Sequence, residues 1–201
     1  RVVSAGNLKF DSVPPCAGEL TKELSDALRL AQRGPVIVAA STMSGEEPLL
    51  LPAWADIRRR HPQALLLLAP RHPNRFEEVA NLLAQKEISF VRRTGLEMDE
   101  GKLAGQLASP DVLLLDTIGE LAGVFALADV VFMGGSLVPT GGHNVLEPAR
   151  WAKPIVFGPH MHNFRDIAQL FLQAHAAVQV PDSQTLARTI LELLGDAERR
   201  H

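Results

Sequence analysis

Two glycine pairs frame the stretch of this chain richest in chemistry: Gly134-Gly135-Ser136 and, a short spacer later, Gly141-Gly142-His143-Asn144-x-x-Glu147-Pro148. Glycine has no Cβ, so the backbone there can take positive φ and let an anion approach main-chain N–H groups. Asn144 reads as the N-cap of a helix whose unpaired amides and positive dipole end would face the same anion. Pro148 confines that start, because proline is tolerated only in the first turn or so of a helix. An apolar strand, Val130 to Met133, feeds the loop. Strand, glycine loop and helix start make a phosphate cradle. A plainer meaning stands beside it: Asn144-x-x-Glu147 is a capping-box variant in which Glu147 reaches back to the cap N–H, and glycine pairs often make only turns. The dinucleotide fingerprint G-x-G-x-x-G is absent from this stretch.

Other candidates stand at the ends of apolar runs. Ser41 opens the polar loop Ser41-Thr42-Met43-Ser44-Gly45-Glu46 after Val36–Ala40, and Arg71-His72 follow the run Ala64–Ala69. An arginine at such an edge offers a planar fork of donors suited to phosphate or carboxylate. Thr117, Gly119, Glu120 and Leu121 follow Val112–Leu115, where exposed amides and a carboxylate could meet a base edge; Glu120 reads equally as a first-turn acid favoured by the helix dipole. Arg58-Arg59-Arg60 could face anionic lipid or simply complete a helix C-terminus. His160-x-His162 lacks a third ligand at suitable spacing, and no metal site is expected.

The elements that must position these residues alternate. Apolar strands are expected at 36–40, 64–69, 88–91, 112–115, 130–133, 154–158 and 177–180, with a further short strand in the first eleven residues. Between them fall amphipathic helices near 21–32, 46–60 (interrupted at Pro48 and Pro52), 76–83, 121–128, 166–174 and 183–194. Strands without polar alternation are buried on both faces, as in a doubly wound parallel sheet, and ligands of such sheets sit at the strands' carboxyl ends. The 201 residues, 46% hydrophobic, suffice for one well-buried domain. A net charge of −3 gives no electrostatic footprint for nucleic acid. The single Cys16 fits a reducing compartment, and no apolar run approaches the length of a membrane span. No signal peptide opens the chain, and its start on Arg1 rather than Met reads as a piece of a longer protein. These residues point to a mononucleotide-type ligand along one edge of the sheet, without naming base or reaction.

At its strand ends the chain resembles the Kdo transferases of lipopolysaccharide synthesis. The resemblance rests on Gly6-Asn7-Leu8-Lys9-Phe10-Asp11, Ala69-Pro70-Arg71-His72-Pro73, Asp116-Thr117-x-Gly119-Glu120-Leu121, Gly134-Gly135-Ser136, Gly141-Gly142-His143-Asn144-x-x-Glu147-Pro148 and Phe157-Gly158-Pro159-His160-x-x-Asn163-Phe164, in the family's order. It implies a GT-B glycosyltransferase of two Rossmann-like halves, with residues 1–201 as the C-terminal half that binds the donor CMP-Kdo. It further implies transfer of Kdo to the lipid A precursor at the cytoplasmic face of the bacterial inner membrane, without metal or other cofactor. The catalytic base and the acceptor and membrane-contacting surfaces would lie in an N-terminal half outside these residues, so this piece, soluble by itself, would bind CMP without catalysing. By resemblance, Gly119, Glu120 and Leu121 would read cytosine and Glu147 the ribose. Arg71, Gly135, Ser136, Gly142 and the Asn144 helix start would hold the phosphate, with Ser41 and His72 as further contacts. A UDP-sugar GT-B enzyme or epimerase, and a nucleotide-binding module without chemistry, are the competing readings.

Overall fold

A computed structural model describes residues 17–196. The Gly6 to Asp11 motif, the short strand expected around it and Cys16 lie outside the described residues. The expected α/β alternation is present as a seven-stranded, all-parallel sheet: β1 (Val36–Thr42), β2 (Leu65–Pro70), β3 (Phe90–Arg92), β4 (Val112–Leu114), β5 (Val130–Met133), β6 (Ile155–Phe157) and β7 (Ala177–Gln179). Their order is β3-β4-β2-β1-β5-β6-β7. From β1 the chain builds outward on one side, then returns to lay β5 against β1's other edge. The sheet order therefore reverses between β1 and β5, and a crevice opens beyond the carboxyl ends of strands at such a point.

Two helical layers cover the sheet, and strand alternation decides what each one meets. Val36, Val38 and Ala40 of β1, with Leu65, Leu67 and Ala69 of β2, face a core shared with α1 (Glu19–Leu30), α4 (Glu100–Leu107), α5 (Leu121–Val124), α6 (Leu146–Ala149) and α7 (Arg165–Gln173). Ile37, Ala39, Leu66 and Leu68 face the opposite core with α2 (Glu47–Arg60), α3 (Phe76–Gln85) and α8 (Ser183–Gly195). Burying a Leu or Val side chain stabilises by roughly 1.5–3 kcal/mol, so a one-residue slip of β2 would exchange its whole core set.

Three elements depart from expectation. α2 runs through Pro52 without a break, with Pro48 in its first turn where a missing N–H costs nothing. Leu50, Leu51, Ala53, Trp54 and Ile57 are all buried against the sheet, and that contact outweighs the hydrogen bond Pro52 removes. α4 was not anticipated; Gly101 and Gly105 dilute its helical signal, while Leu103 and Leu107 anchor it and the Asp99 side chain accepts from the Lys102 N–H. The expected helix 121–128 is a four-residue α5 followed by a 3-10 turn over Phe125–Leu127.

Candidate functional site

The crevice at the sheet reversal is a cavity of about 480 Å³, within the range of small-molecule sites. Of the residues singled out in the sequence, Ser41, Arg71, Gly119, Leu121, Asn144 and Glu147 line it together. They come from the ends of β1, β2, β4 and β5, brought together only by the parallel sheet.

Local backbone explains how each arrives. Ser41 sits at φ 55°, in the left-handed region, where the β1–β2 register shifts between Ala40 and Thr42. This bulge turns one residue out of the ladder at the cavity wall. Arg71 follows β2 directly, its N–H donating to the Thr42 carbonyl (3.0 Å). Gly119 takes φ 89°, which a side chain would strain, and leads into α5. Asn144 and Glu147 flank the start of α6.

The capping box does not form as expected. Val145, not Asn144, is the N-cap, and α6 has only four residues, so its dipole is slight. Asn144 Oδ1 accepts from the Leu146 N–H (3.2 Å), and among the described residues the Glu147 carboxylate accepts only a long bond, Oε1 from Asn144 Nδ2 (3.4 Å). Pro148 has no N–H to donate to the Asn144 carbonyl, the bond an Asn144 cap would need, and the helix starts one residue later. Glu147 is therefore not spent on a cap N–H.

Other expected contacts require correction. Gly135 and Ser136 do not offer free amides, because a carboxylate of the chain already occupies them. Glu46, fully buried, accepts from the N–H groups of Gly135 (2.6 Å), Ser136 (3.0 Å), Leu137 (2.9 Å) and Met43 (3.1 Å). Burial, the larger effect, holds its carboxyl above the usual range, and these backbone donors oppose that shift only in part. The Ser136 hydroxyl is likewise engaged, donating to the Met133 carbonyl (2.5 Å) and accepting from the Gly158 N–H (2.8 Å). Gly142 donates its N–H to the Gly135 carbonyl (2.8 Å), and a Cβ there would meet Met161 Sδ at 2.3 Å. These glycines let the loop fold onto itself rather than onto a ligand. The Glu120 side chain also turns aside: its carboxylate accepts from the Thr117 hydroxyl (2.5 Å) and Arg93 (3.1 Å) and does not line the cavity. His72 is exposed beside the rim and does not line it either.

Residues not singled out complete the wall: Ala122, Phe125, Met133, His143 and Phe164. Phe125 fell inside the expected helix 121–128 and Met133 at the end of the apolar strand, whereas His143 and Phe164 stood inside motifs already noted. His143 is held neutral, its pKa lowered from 6.5 to about 4 by burial and by the neighbouring charges of Arg71 and His72. Its Nε2 is buried without a hydrogen-bond partner among the described residues. Arg71 makes no side-chain hydrogen bond or ion pair among the described residues, unlike the nearby Arg75, whose guanidinium grips the fully buried Glu47 at 2.7 and 2.9 Å. The cavity thus combines a free guanidinium, a nearly free carboxylate, two small polar side chains, a neutral imidazole and apolar surface. That set can bind a small molecule carrying an anion, hydroxyls and a flat ring.

The arginine run lies on another face. Arg58 reaches the Pro62 and Ala64 carbonyls and pairs with Asp111, and Arg59 pairs with Asp56. Among the described residues no three His, Cys, Asp or Glu side chains gather to hold a metal, and no helix is long and apolar enough to cross a membrane.

No family model matches the chain. Curated relatives include the 3-deoxy-D-manno-octulosonic acid transferases of Haemophilus influenzae, 35% identical over 198 residues, and of Bordetella pertussis, 37% identical over 198 residues. Each match covers 97% of this chain and 44% of the relative, so the chain spans less than half the length of these proteins. Among solved structures, the C-terminal CMP-Kdo binding domain of WaaA from Acinetobacter baumannii superposes with a TM-score of 0.80 at 33% identity, covering 90% of both chains.

Proposed function

This chain belongs to the family of 3-deoxy-D-manno-octulosonic acid transferases, and from that premise we propose that its strand-end cavity is the CMP-Kdo donor site of a two-domain GT-B glycosyltransferase. The observation that carries the reading is the convergence of Ser41, Arg71, Asn144 and Glu147 on one crevice, with the guanidinium and carboxylate still available for a ligand. Residues 1–201 form the donor-binding half.

In this reading cytosine lies against the Gly119–Leu121 turn and the apolar surface of Phe125, with main-chain groups of the turn meeting its edge. Glu147 accepts from the ribose hydroxyls, which a carboxylate does well as an acceptor-only group. Arg71 holds the phosphate, and Ser41 and Asn144 supply neutral hydrogen bonds beside it. As the acceptor hydroxyl attacks the anomeric carbon of Kdo, the bond to the phosphate oxygen breaks and its electron pair stays with CMP. Arg71 stabilises the charge that grows there. The attacking hydroxyl's proton passes to a base supplied by an N-terminal half, which also presents the lipid A precursor at the cytoplasmic face of the inner membrane. No metal is needed, because the leaving group's charge is met by a guanidinium.

Calorimetric titration of the chain with CMP and UMP tests the base assignment. CMP should bind more tightly, since a mismatched base leaves buried polar groups unpaired at about 1–3 kcal/mol each. Equal or reversed affinities would favour a UDP-sugar enzyme or epimerase. Turnover of CMP-Kdo and lipid acceptor by this chain alone would contradict its assignment as a donor half.

A further inference from the structure

A glycine loop at a sheet reversal is where an open α/β fold ordinarily receives a ligand's phosphate. Here three successive N–H groups, those of Gly135, Ser136 and Leu137, do converge on an anion, but the anion is Glu46. Successive backbone N–H groups bent in this way form a concavity selective for negative charge. Each carboxyl oxygen accepts from two N–H groups, an arrangement that favours the ionised form and opposes the upward push of burial on the Glu46 carboxyl.

The filled concavity backs directly onto the cavity. A Cβ on Gly135, which takes φ 68°, would meet the His143 ring at 3.1 Å, and one on Gly134 would meet the Ser41 carbonyl oxygen at 2.6 Å. Both His143 and Ser41 line the cavity. Arg71 stands close enough to His143 to act on its charge, and the His143 ring packs on Gly135, so a second phosphate on that side of Arg71 would meet a wall whose donors are taken and which has the Glu46 carboxylate behind it.

We propose that Glu46 is a specificity-determining residue: by occupying the glycine-loop amides from within, it restricts the site to nucleotides with a single phosphate. This rests on the nucleotide reading above. Glu46 touches no ligand itself; it acts through the loop it fills. A purely structural staple would make a different prediction. CDP retains every group of CMP and adds an anion beside an unpaired arginine, so without the Glu46 charge it would bind as tightly as CMP or more so.

The test compares CMP and CDP on the wild-type chain and on Glu46→Ala, which vacates the concavity, with Glu46→Gln as a variant that keeps the volume and removes the charge. The wild-type chain should bind CMP about tenfold or more tightly than CDP, as juxtaposed like charges require. In either variant, once circular dichroism confirms a folded chain, that ratio should shrink toward one or invert. Wild-type CDP binding equal to or tighter than CMP overturns the proposal, and this arm does not depend on either variant folding. A folded variant that keeps the wild-type ratio also overturns it. A wild-type chain that binds neither nucleotide removes the cavity reading itself, and the proposal with it. UMP matching CMP while CDP stays excluded defeats only the base assignment.

Discussion

Glu147→Gln separates ligand binding from folding at the carboxylate assigned to the ribose. Among the described residues its carboxylate has one weak partner, Asn144 Nδ2 at 3.4 Å, at the outer limit of a hydrogen bond. Glutamine keeps an oxygen at that place, so folding should change by no more than about 0.5 kcal/mol, the low end for a neutral hydrogen bond. Bonds from ribose hydroxyls to a carboxylate are charge-assisted and worth roughly 1.5–3 kcal/mol. Their loss should weaken CMP binding roughly 10- to 150-fold, at 1.4 kcal/mol per factor of ten. Calorimetric titration reads the affinity, and thermal melting of the same samples reads the stability. Asn144→Ala is the control: it strips the acceptor from the Leu146 N–H (3.2 Å) and should cost on the order of 1 kcal/mol of stability, as loss of a capping contact does. A Glu147→Gln chain that melts early and binds CMP normally would show the residue to be structural and refute the ribose assignment.

The neighbouring arginines should divide in the same way. Arg75→Ala strands the fully buried Glu47 and should lower unfolding free energy by about 3–5 kcal/mol in urea titrations. Arg71→Ala should leave stability within about 0.5 kcal/mol, as at unengaged surface positions, while abolishing most CMP affinity; the reverse pattern would exchange their roles. Gly158→Ala, whose Cβ would fall 2.2 Å from the Ser136 carbonyl oxygen, should destabilise by about 1–3 kcal/mol or more through displacement of the glycine loop, read as a lowered melting temperature. His143, with a folded pKa near 4 against 6.5 in the unfolded chain, takes up a proton on unfolding below pH 6.5 that the folded chain refuses. Its contribution to stability is full above pH 6.5 and is lost as pH falls toward 4, so His143→Gln should lose less stability than wild type between pH 7 and pH 4.5 in urea unfolding.

Much of the fold was legible because its strands are short apolar runs without alternation, bounded by glycine, proline or polar turns. β5 was read with its observed bounds, Val130 to Met133. The cavity was legible to the extent that strand ends define it: Ser41, Arg71, Gly119 and Leu121 follow from position alone. What escaped is tertiary. Glu46 meets Gly135 across 89 positions of sequence, so nothing local announces that the glycine loop is already filled. The Asn144-x-x-Glu147 spacing matched a capping box, yet Pro148 has no N–H for the Asn144 carbonyl and Val145 became the cap. His143 was visible in its motif but not as a cavity residue, since its burial and its neighbours Arg71 and His72 arise only when β2 and the glycine loop converge.

A crystal structure of the chain with CMP bound tests the donor-site assignment most directly. The expected density fills the crevice between β1 and β5, with the ribose hydroxyls on Glu147, the phosphate on Arg71, cytosine against the Gly119–Leu121 turn and Glu46 still holding the Gly135–Leu137 amides. CMP bound away from this crevice, or its phosphate on those amides with Glu46 expelled, would contradict it.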